Sequence, residues 1–302
     1  MKLYAPSYYK KFKCIADKCR HSCCIGWEID IDEFTLGKYQ SAEAPYAIEV
    51  LKSIEDSENP HFKLCGGGRC VHLDENNLCR IILNLGEGYL CDICREHPRF
   101  YNTVKNGMEV GLGMACEEAC SIILNSDGYS EISEICELGY DEESPEFDAC
   151  VPRQRLFSIL SNCEKRYNER LFDIYNEFSV SPDMLGDEKT RFVLSRLEYL
   201  DSNHQKLFSC YSGALFDCGG QEKILERALA YFVYRHCSGA EDIFEFRAAL
   251  GFCLICERLL ASLLKNCGDA VELARIISEE LEYSEDNTEA IKSEFRLSFT
   301  NP

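Results

Sequence analysis

Cys14-Ile-Ala-Asp-Lys-Cys19-Arg-His-Ser-Cys23-Cys24-Ile-Gly-Trp27 places four thiols within eleven residues near the start of the chain. Thiols at this density cannot all hide in an apolar core. Their spacing, C-x4-C-x3-C-C, suits zinc or an iron-sulfur cluster, because a bound metal lowers the thiol pKa enough to hold the thiolate at neutral pH. The alternative is a set of exposed, reduced thiols with no ligand role. More follow in Cys65-Gly-Gly-Gly-Arg-Cys70-Val-His-Leu-Asp-Glu-Asn-Asn-Leu-Cys79, in Cys91-Asp-Ile-Cys94-Arg-Glu-His-Pro-Arg99 and in Cys116-Glu-Glu-Ala-Cys120. Zinc-finger grammar is missing, since no second C-x2-C lies at the usual interval and there is no H-x3-5-H. Ligands from scattered loops around one buried inorganic core fit better.

The surroundings support this reading. Twenty cysteines in 302 residues need an explanation other than disulfides if the protein stays in a reducing compartment. The start, Met1-Lys-Leu-Tyr-Ala-Pro-Ser-Tyr-Tyr-Lys-Lys11, has no apolar stretch of a secretory signal, and no run is long and apolar enough for a membrane span. The expected location is therefore the cytoplasm, with no membrane partner. A formal charge of −20 also argues against broad binding to nucleic acid, which needs clustered Lys and Arg. Residues 1–20 are locally basic, with six Lys and Arg against Asp17, which reads as a solvated face.

Thirteen of the cysteines fall in residues 1–150 and seven in residues 151–302. The expected fold is mainly α, an irregular Cys-rich metal-binding region over 1–130 followed by an all-helical domain over 150–302. Residues 131–149 read as an acidic linker, because eight acids and no Lys or Arg fall there. Trp27-Glu-Ile-Asp-Ile-Asp32 alternates like a short strand or extended turn. Beyond Pro152, Leu156, Leu160, Cys163, Tyr167, Leu171, Ile174 and Phe178 share one face and predict a single long helix. Further helices are expected over 190–200, 221–237, 243–267, 269–283 and 288–297, the third behind a capping box at Ser238-Gly-Ala-Glu241. The later cysteines occupy mostly apolar positions, including the pair Cys253 and Cys256, and read as small hydrophobes.

Four stretches carry a resemblance: Phe12-Lys-Cys14 through Cys23-Cys24-Ile-Gly-Trp27, Cys70 through Cys79-Arg-Ile, Leu85-Gly-Glu through Cys94-Arg-Glu-His-Pro-Arg99, and Cys116-Glu-Glu-Ala. Together they resemble the flagellin lysine-N-methylase family, itself related to Cys-rich zinc- or iron-chelating proteins. The likeness covers the first 120 residues, with a looser match at Ala230-Tyr-Phe-Val-Tyr-Arg-His236. It implies a bacterial enzyme that moves a methyl group from S-adenosylmethionine to a lysine of flagellin or another protein, and that contains an iron-sulfur cluster, 4Fe-4S before zinc. The family's cysteines fall on Cys14, Cys19, Cys23, Cys24, Cys70, Cys79, Cys94 and Cys116, leaving Cys65, Cys91 and Cys120 as extras. Two family prolines are replaced, in Cys70-Val-His-Leu73 and Cys116-Glu-Glu-Ala119. A 4Fe-4S cluster needs four cysteines, so eight leave four for a second site, redox partners or structure.

Other features are open to two readings. His72 and His97, beside ligand cysteines, read as neighbours that support the ligands or as surface residues, with a ligand role as the lesser alternative. Cys19-x3-Cys23 begins the triplet of radical S-adenosylmethionine enzymes, but Gly26 stands at its third position, so radical chemistry is not indicated. Gly111-Leu-Gly113 lacks the strand-turn-helix setting of a nucleotide-binding fingerprint. Gly66-Gly67-Gly68 is an anion cradle or a turn. Arg95 and Arg99 grip a substrate carboxylate or pair with the chain's own acids, and Tyr89 and Tyr101 shape an amine pocket or simply pack. The competing function is an iron-sulfur or zinc module for redox work or metal handling, without methyl transfer.

Overall fold

The computed structural model describes residues 1–55, 59–140, 142–215, 219–265 and 268–300. The chain divides into two compact units. One comprises Lys13–Arg99 with Cys116–Glu118, and the other Met1–Phe12, Phe100–Ala115 and Ala119–Pro302. The described residues are mainly helical, with a mixed sheet. None of their helices is long and apolar enough to cross a membrane.

The larger unit is built around the helix Ile243–Leu264, which is apolar on almost every face and accordingly buried from Phe246 to Leu263 apart from the half-buried Arg247. The helices Glu222–His236, Ala270–Ile277 and Glu285–Thr300 pack against it. Gly251 is required for one of these contacts, since a Cβ there would lie 2.5 Å from the Phe295 ring. Each fully buried Leu, Ile or Phe contributes roughly 1.5–3 kcal/mol, which makes this core the main stabilising element of the unit. Its Asp242 side chain accepts from the Glu245 amide and caps the helix. The cap expected at Ser238 is not formed, because the Ser238 hydroxyl donates to the Tyr234 carbonyl at the end of the preceding helix.

Three further expectations are corrected. The single helix beyond Pro152 is two, Cys150–Leu160 and Tyr167–Phe178. Between them the Asn162 side chain accepts from the Glu164 amide, and at the start of the second helix the Glu169 carboxylate reaches back to accept from the Arg166 amide at 2.8 Å. Cys163, expected on the apolar face, is exposed in this break. The helix predicted over 190–200 runs from Asp187 to Leu194, and the Ala270–Ile277 helix continues into a π-turn, Ser278–Glu282. Cys267, at the end of the predicted 243–267 helix, lies outside the described residues.

The acidic stretch is not all linker. Ile132–Glu137 forms the edge of a four-stranded sheet whose order is Arg99–Val104, Gly107–Leu112, Lys2–Pro6, Ile132–Glu137. Lys2–Pro6 runs parallel to Gly107–Leu112, pairing Tyr4 with Glu109, and antiparallel to Ile132–Glu137, where a bulge falls between Leu3 and Tyr4. Met1–Phe12 therefore belongs with the helices rather than with the cysteine-rich region, because its apolar residues Leu3 and Ala5 pack on Met108 and Val110.

The smaller unit has little regular structure: short helices and two-stranded hairpins. Its core gathers Ile29, Ile31, Tyr39, Tyr46, Val50, Phe62, Ile81 and Cys91. Trp27–Asp32 forms a single bridge, from Asp30 to His61, instead of a continuous strand, and a second bridge joins Ile25 just before it to Arg69.

Candidate metal centre

All eight cysteines singled out above fall in the smaller unit, and so does Cys91. Residues 116–118 join it through Glu117. Its carboxylate accepts from the Arg20 amide at 2.8 Å and from Arg20 Nε at 2.6 Å, with the Cys19 thiol at 3.7 Å. A three-residue visitor from elsewhere in the sequence thus brings Cys116 to the Cys14–Cys24 segment. A second tie links Cys24 to Cys70, whose amide donates to the Cys24 carbonyl at 2.8 Å. Beside it, Gly26 N–H donates to the Gly68 carbonyl, and Gly67 and Gly68 both have positive φ, so the triple glycine is the turn of the Leu64–Cys70 hairpin. Cys79 is set by the turn before it, where Asp74 Oδ1 accepts from the amides of Asn76 and Leu78. Asp32 anchors the last pair: Oδ1 caps Glu33–Ser41 through the Thr35 amide, and Oδ2 accepts from the Asp92 amide between Cys91 and Cys94. Burial raises the Asp32 pKa, and the hydrogen bonds it accepts, those two amides first among them, outweigh it and leave the carboxyl below its usual range.

The thiols perturb one another in two neighbourhoods. In the first, Cys23 is pushed far up by its hydrogen bond with Cys24, by burial, and by the charges of Cys24, Cys116 and Cys14. Burial raises Cys19 to about 11, with Glu117 and Cys116 adding to it. In the second, burial raises Cys70 to about 11, reinforced by Cys24, Cys79 and Cys91, and Cys79 rises for the same reason beside Cys24 and Cys91. Cys94 is driven well up by the hydrogen bond to Cys91, by burial and by Cys91, Cys24 and Cys79, whereas Cys91 falls because Cys94 donates to it. Cys24 belongs to both and is lowered to about 7, first by the Cys23 hydrogen bond, then, against burial, by Ser22 and Arg69. Sulfurs that repel one another when ionised, half-buried and adjacent, form the donor set that a thiophilic cation relieves. Among the described residues, no three His, Cys, Asp or Glu side chains converge closely enough to hold a single metal ion.

Cys91 was not among the positions implied by resemblance, yet it lies within the second neighbourhood. Its C-x2-C spacing to Cys94 was the available signal. Cys65 and Cys120 stay apart, the first exposed on a hairpin and the second buried against the Val271 carbonyl in the other unit. His72 is buried with both ring nitrogens in use, Nδ1 to Tyr46 Oη at 3.0 Å and Nε2 to Ser53 Oγ at 2.8 Å, so it packs the core. Burial takes His97 down to about 4. Arg95 pairs with Asp92 and Glu96. Tyr89 stacks on Tyr39 at 6.5 Å, and Tyr101 is about half exposed. In the larger unit, Cys253 and Cys256 are core residues, with Cys237 3.9 Å from Cys253.

The arrangement defines a thiol-rich domain inserted into the first half of a helical protein. The chain belongs to the flagellin lysine-N-methylase family. It is 35% identical over 128 residues to the flagellar biosynthetic protein FliU of Salmonella muenchen, a match covering 40% of this chain and 75% of that protein. It is also 35% identical over 137 residues to lysine-N-methylases of Salmonella typhimurium and Salmonella choleraesuis, covering 43% of this chain. The match spans about a third, 34%, of the length of each lysine-N-methylase. No family model and no solved structure matches the chain.

Proposed function

We propose that the chain is an S-adenosylmethionine-dependent protein-lysine N-methyltransferase, with flagellin as its substrate and a cysteine-ligated iron-sulfur cluster in its smaller unit. The observation that carries the metal part is the pair of thiol neighbourhoods. Cys24, Cys70, Cys79 and Cys94, with Cys91 beside them, would hold a 4Fe-4S cluster, which takes four thiolates. A cluster brings its own bridging sulfide and so spans thiols more widely spaced than one ion reaches. Cys14, Cys19, Cys23 and Cys116 make the second four-thiol set. When bound, such a cluster supplies a redox centre and a cross-link between separate loops.

Methyl transfer itself breaks the S–CH3 bond of the donor and forms an N–CH3 bond on the ε-amine, which must first lose its proton. The names of the relatives support lysine as the acceptor. The test uses anaerobically purified full chain, S-adenosylmethionine and purified flagellin, read by mass spectrometry of flagellin. One added methylene per event on lysine is expected. Protein carrying its full iron and sulfide load that binds no methyl donor and leaves flagellin unmodified would favour the redox or metal-handling module instead.

A further inference from the structure

The four-stranded sheet of the larger unit ends in two unlike edges. At the Arg99–Val104 edge Tyr101 is the one exposed residue, the Asn102 side chain donates to the Arg235 carbonyl at 3.0 Å, and the Thr103 hydroxyl donates to Glu142 at 2.7 Å. At the Ile132–Glu137 edge four of the six residues are exposed, and no further strand pairs with it among the described residues. Its ladder tells which main-chain groups are left over. Leu138 N–H donates to the Met1 carbonyl at 2.7 Å, and the next pair is Glu137 with Lys2. Bonding direction alternates along an antiparallel pair, so Glu137 turns its own N–H and C=O outward, away from Lys2–Pro6. Such an edge is a template for another extended chain.

The side chains say which chain fits. The register pairs Ile132 with Pro6, Glu134 with Tyr4 and Glu137 with Lys2. Paired residues share a face, and the bulge between Leu3 and Tyr4 takes up the odd residue, so Ile132, Glu134 and Glu137 stand in a row on one face. Glu134 bonds Lys2 at 2.6 Å, but the two side chains are 40% and 50% exposed, and such a pair is weak in water. Glu131, Glu134 and Glu137 face this one lysine with no Lys or Arg of their own stretch, so the edge keeps an excess of negative charge. Two copies of the chain meeting here would set acids against acids. An incoming strand with lysines on one face would instead set ammonium groups against Glu134 and Glu137. Ile132, at the end of the row, borders a cavity of about 490 Å³ that is also lined by Tyr4 and Ser130. The buried ion pair of that cavity, Arg153 on Glu109 at 2.5 and 2.6 Å, is closed on itself, so the cavity adds room for a side chain and no charge. We propose that the Ile132–Glu137 edge docks the protein substrate by strand addition, pairing with an extended segment that carries lysines on one face. This rests on the protein-lysine methyltransferase reading and gives that enzyme a surface on which to recognise its substrate. Main-chain bonds supply the affinity, and the row of acids supplies the selection.

The probe is a fluorescent peptide alternating Lys and Thr, titrated by anisotropy against the anaerobically purified full chain. It is expected to bind, more weakly as salt rises, and its Glu and Thr counterpart to fail. Glu134→Lys with Glu137→Lys should weaken the Lys peptide by roughly tenfold or more. Glu137→Gln removes one charge and should cost about two- to fivefold. Glu137→Pro removes that charge together with the outward N–H and should cost about two- to tenfold beyond Gln. Because proline could disturb the strand, the unaltered protein is also offered the Lys peptide N-methylated on alternate main-chain nitrogens, which should lose affinity by a similar factor. Equal binding of the plain and N-methylated peptides overturns strand addition. Unaltered binding by the double Lys variant overturns the edge as the site, and a dimer in sedimentation that Glu137→Pro abolishes makes a second copy the occupant instead. With flagellin as substrate, the double variant should raise KM by roughly tenfold at unchanged kcat. An unchanged KM overturns the docking edge and leaves the methyltransferase reading standing. Flagellin binding that follows the peptide pattern, with no methyl group added by any preparation, overturns the enzyme and retains the surface.

Discussion

The Ile243–Leu264 helix is buried along nearly its whole length, whereas Cys14–Trp27 contains no buried residue at all. The first is ordered by the removal of apolar surface from water, an effect that needs no particular partner and tolerates much variation in sequence. The second is ordered by named polar atoms: the Glu117 carboxylate on Arg20, and the Cys24 carbonyl under the Cys70 amide. Between such ties lie cysteines whose charges oppose one another. The lesson is that the two regions should respond to different insults, the helical one to loss of volume and the thiol-rich one to loss of what neutralises its sulfurs.

The largest expected effect is removal of the proposed cluster. Ligation of a thiolate-bound ion can contribute on the order of 10 kcal/mol where a small domain folds around it. Stripping the protein with a chelator under anaerobic conditions should therefore abolish amide-exchange protection in residues 13–28 and 65–99. The amides of Glu222–His236 and Ile243–Leu264 should keep theirs. Equal loss in both regions, or loss in neither, would break the comparison. The reciprocal insult is Phe252→Ala. Phe252 is fully buried and packs edge-on to His236 at 4.7 Å, so its loss should cost about 3–5 kcal/mol in denaturant unfolding of the helical region. The iron and sulfide bound per chain should not change.

The same contrast explains what could be read from the sequence. Helices that bury a continuous apolar surface announce themselves: 222–236 and 243–264 lie close to their predicted limits, because hydrophobic periodicity and burial are two views of one fact. The break at 161–166 was hidden because the apolar spacing continues through it, and only the Asn162 turn and the Glu169 carboxylate on the Arg166 amide mark it. The strand Ile132–Glu137 was hidden by its charges: at the sheet edge its acids face solvent, and composition cannot separate an exposed edge from a linker. In the thiol-rich unit, spacing revealed the cysteines but not their grouping. That grouping depends on long-range bonds such as Arg20 to Glu117, separated by 97 residues, which no local pattern encodes. Nor does any motif join Glu109 to Arg153, since a strand and a helix 44 residues apart bring them together.

The smallest effect separates two roles of one side chain. Asp32 caps a helix with one oxygen and ties down the Cys91–Cys94 turn with the other. Asp32→Ala removes both and should cost about 1–2 kcal/mol, the range for a lost cap. Asp32→Asn keeps a carbonyl oxygen for the Thr35 amide but turns an amide group toward the Asp92 N–H, where it cannot accept. If polar ties organise the thiols, Asn should recover most of the helix stability yet lose bound iron as Ala does. If the cap alone matters, Asn should retain iron like the unaltered protein. Iron content per chain after anaerobic gel filtration decides between them, and the second result would mean that the Cys91–Cys94 turn holds its place by packing on Tyr39 and Ile81 instead of through Asp32.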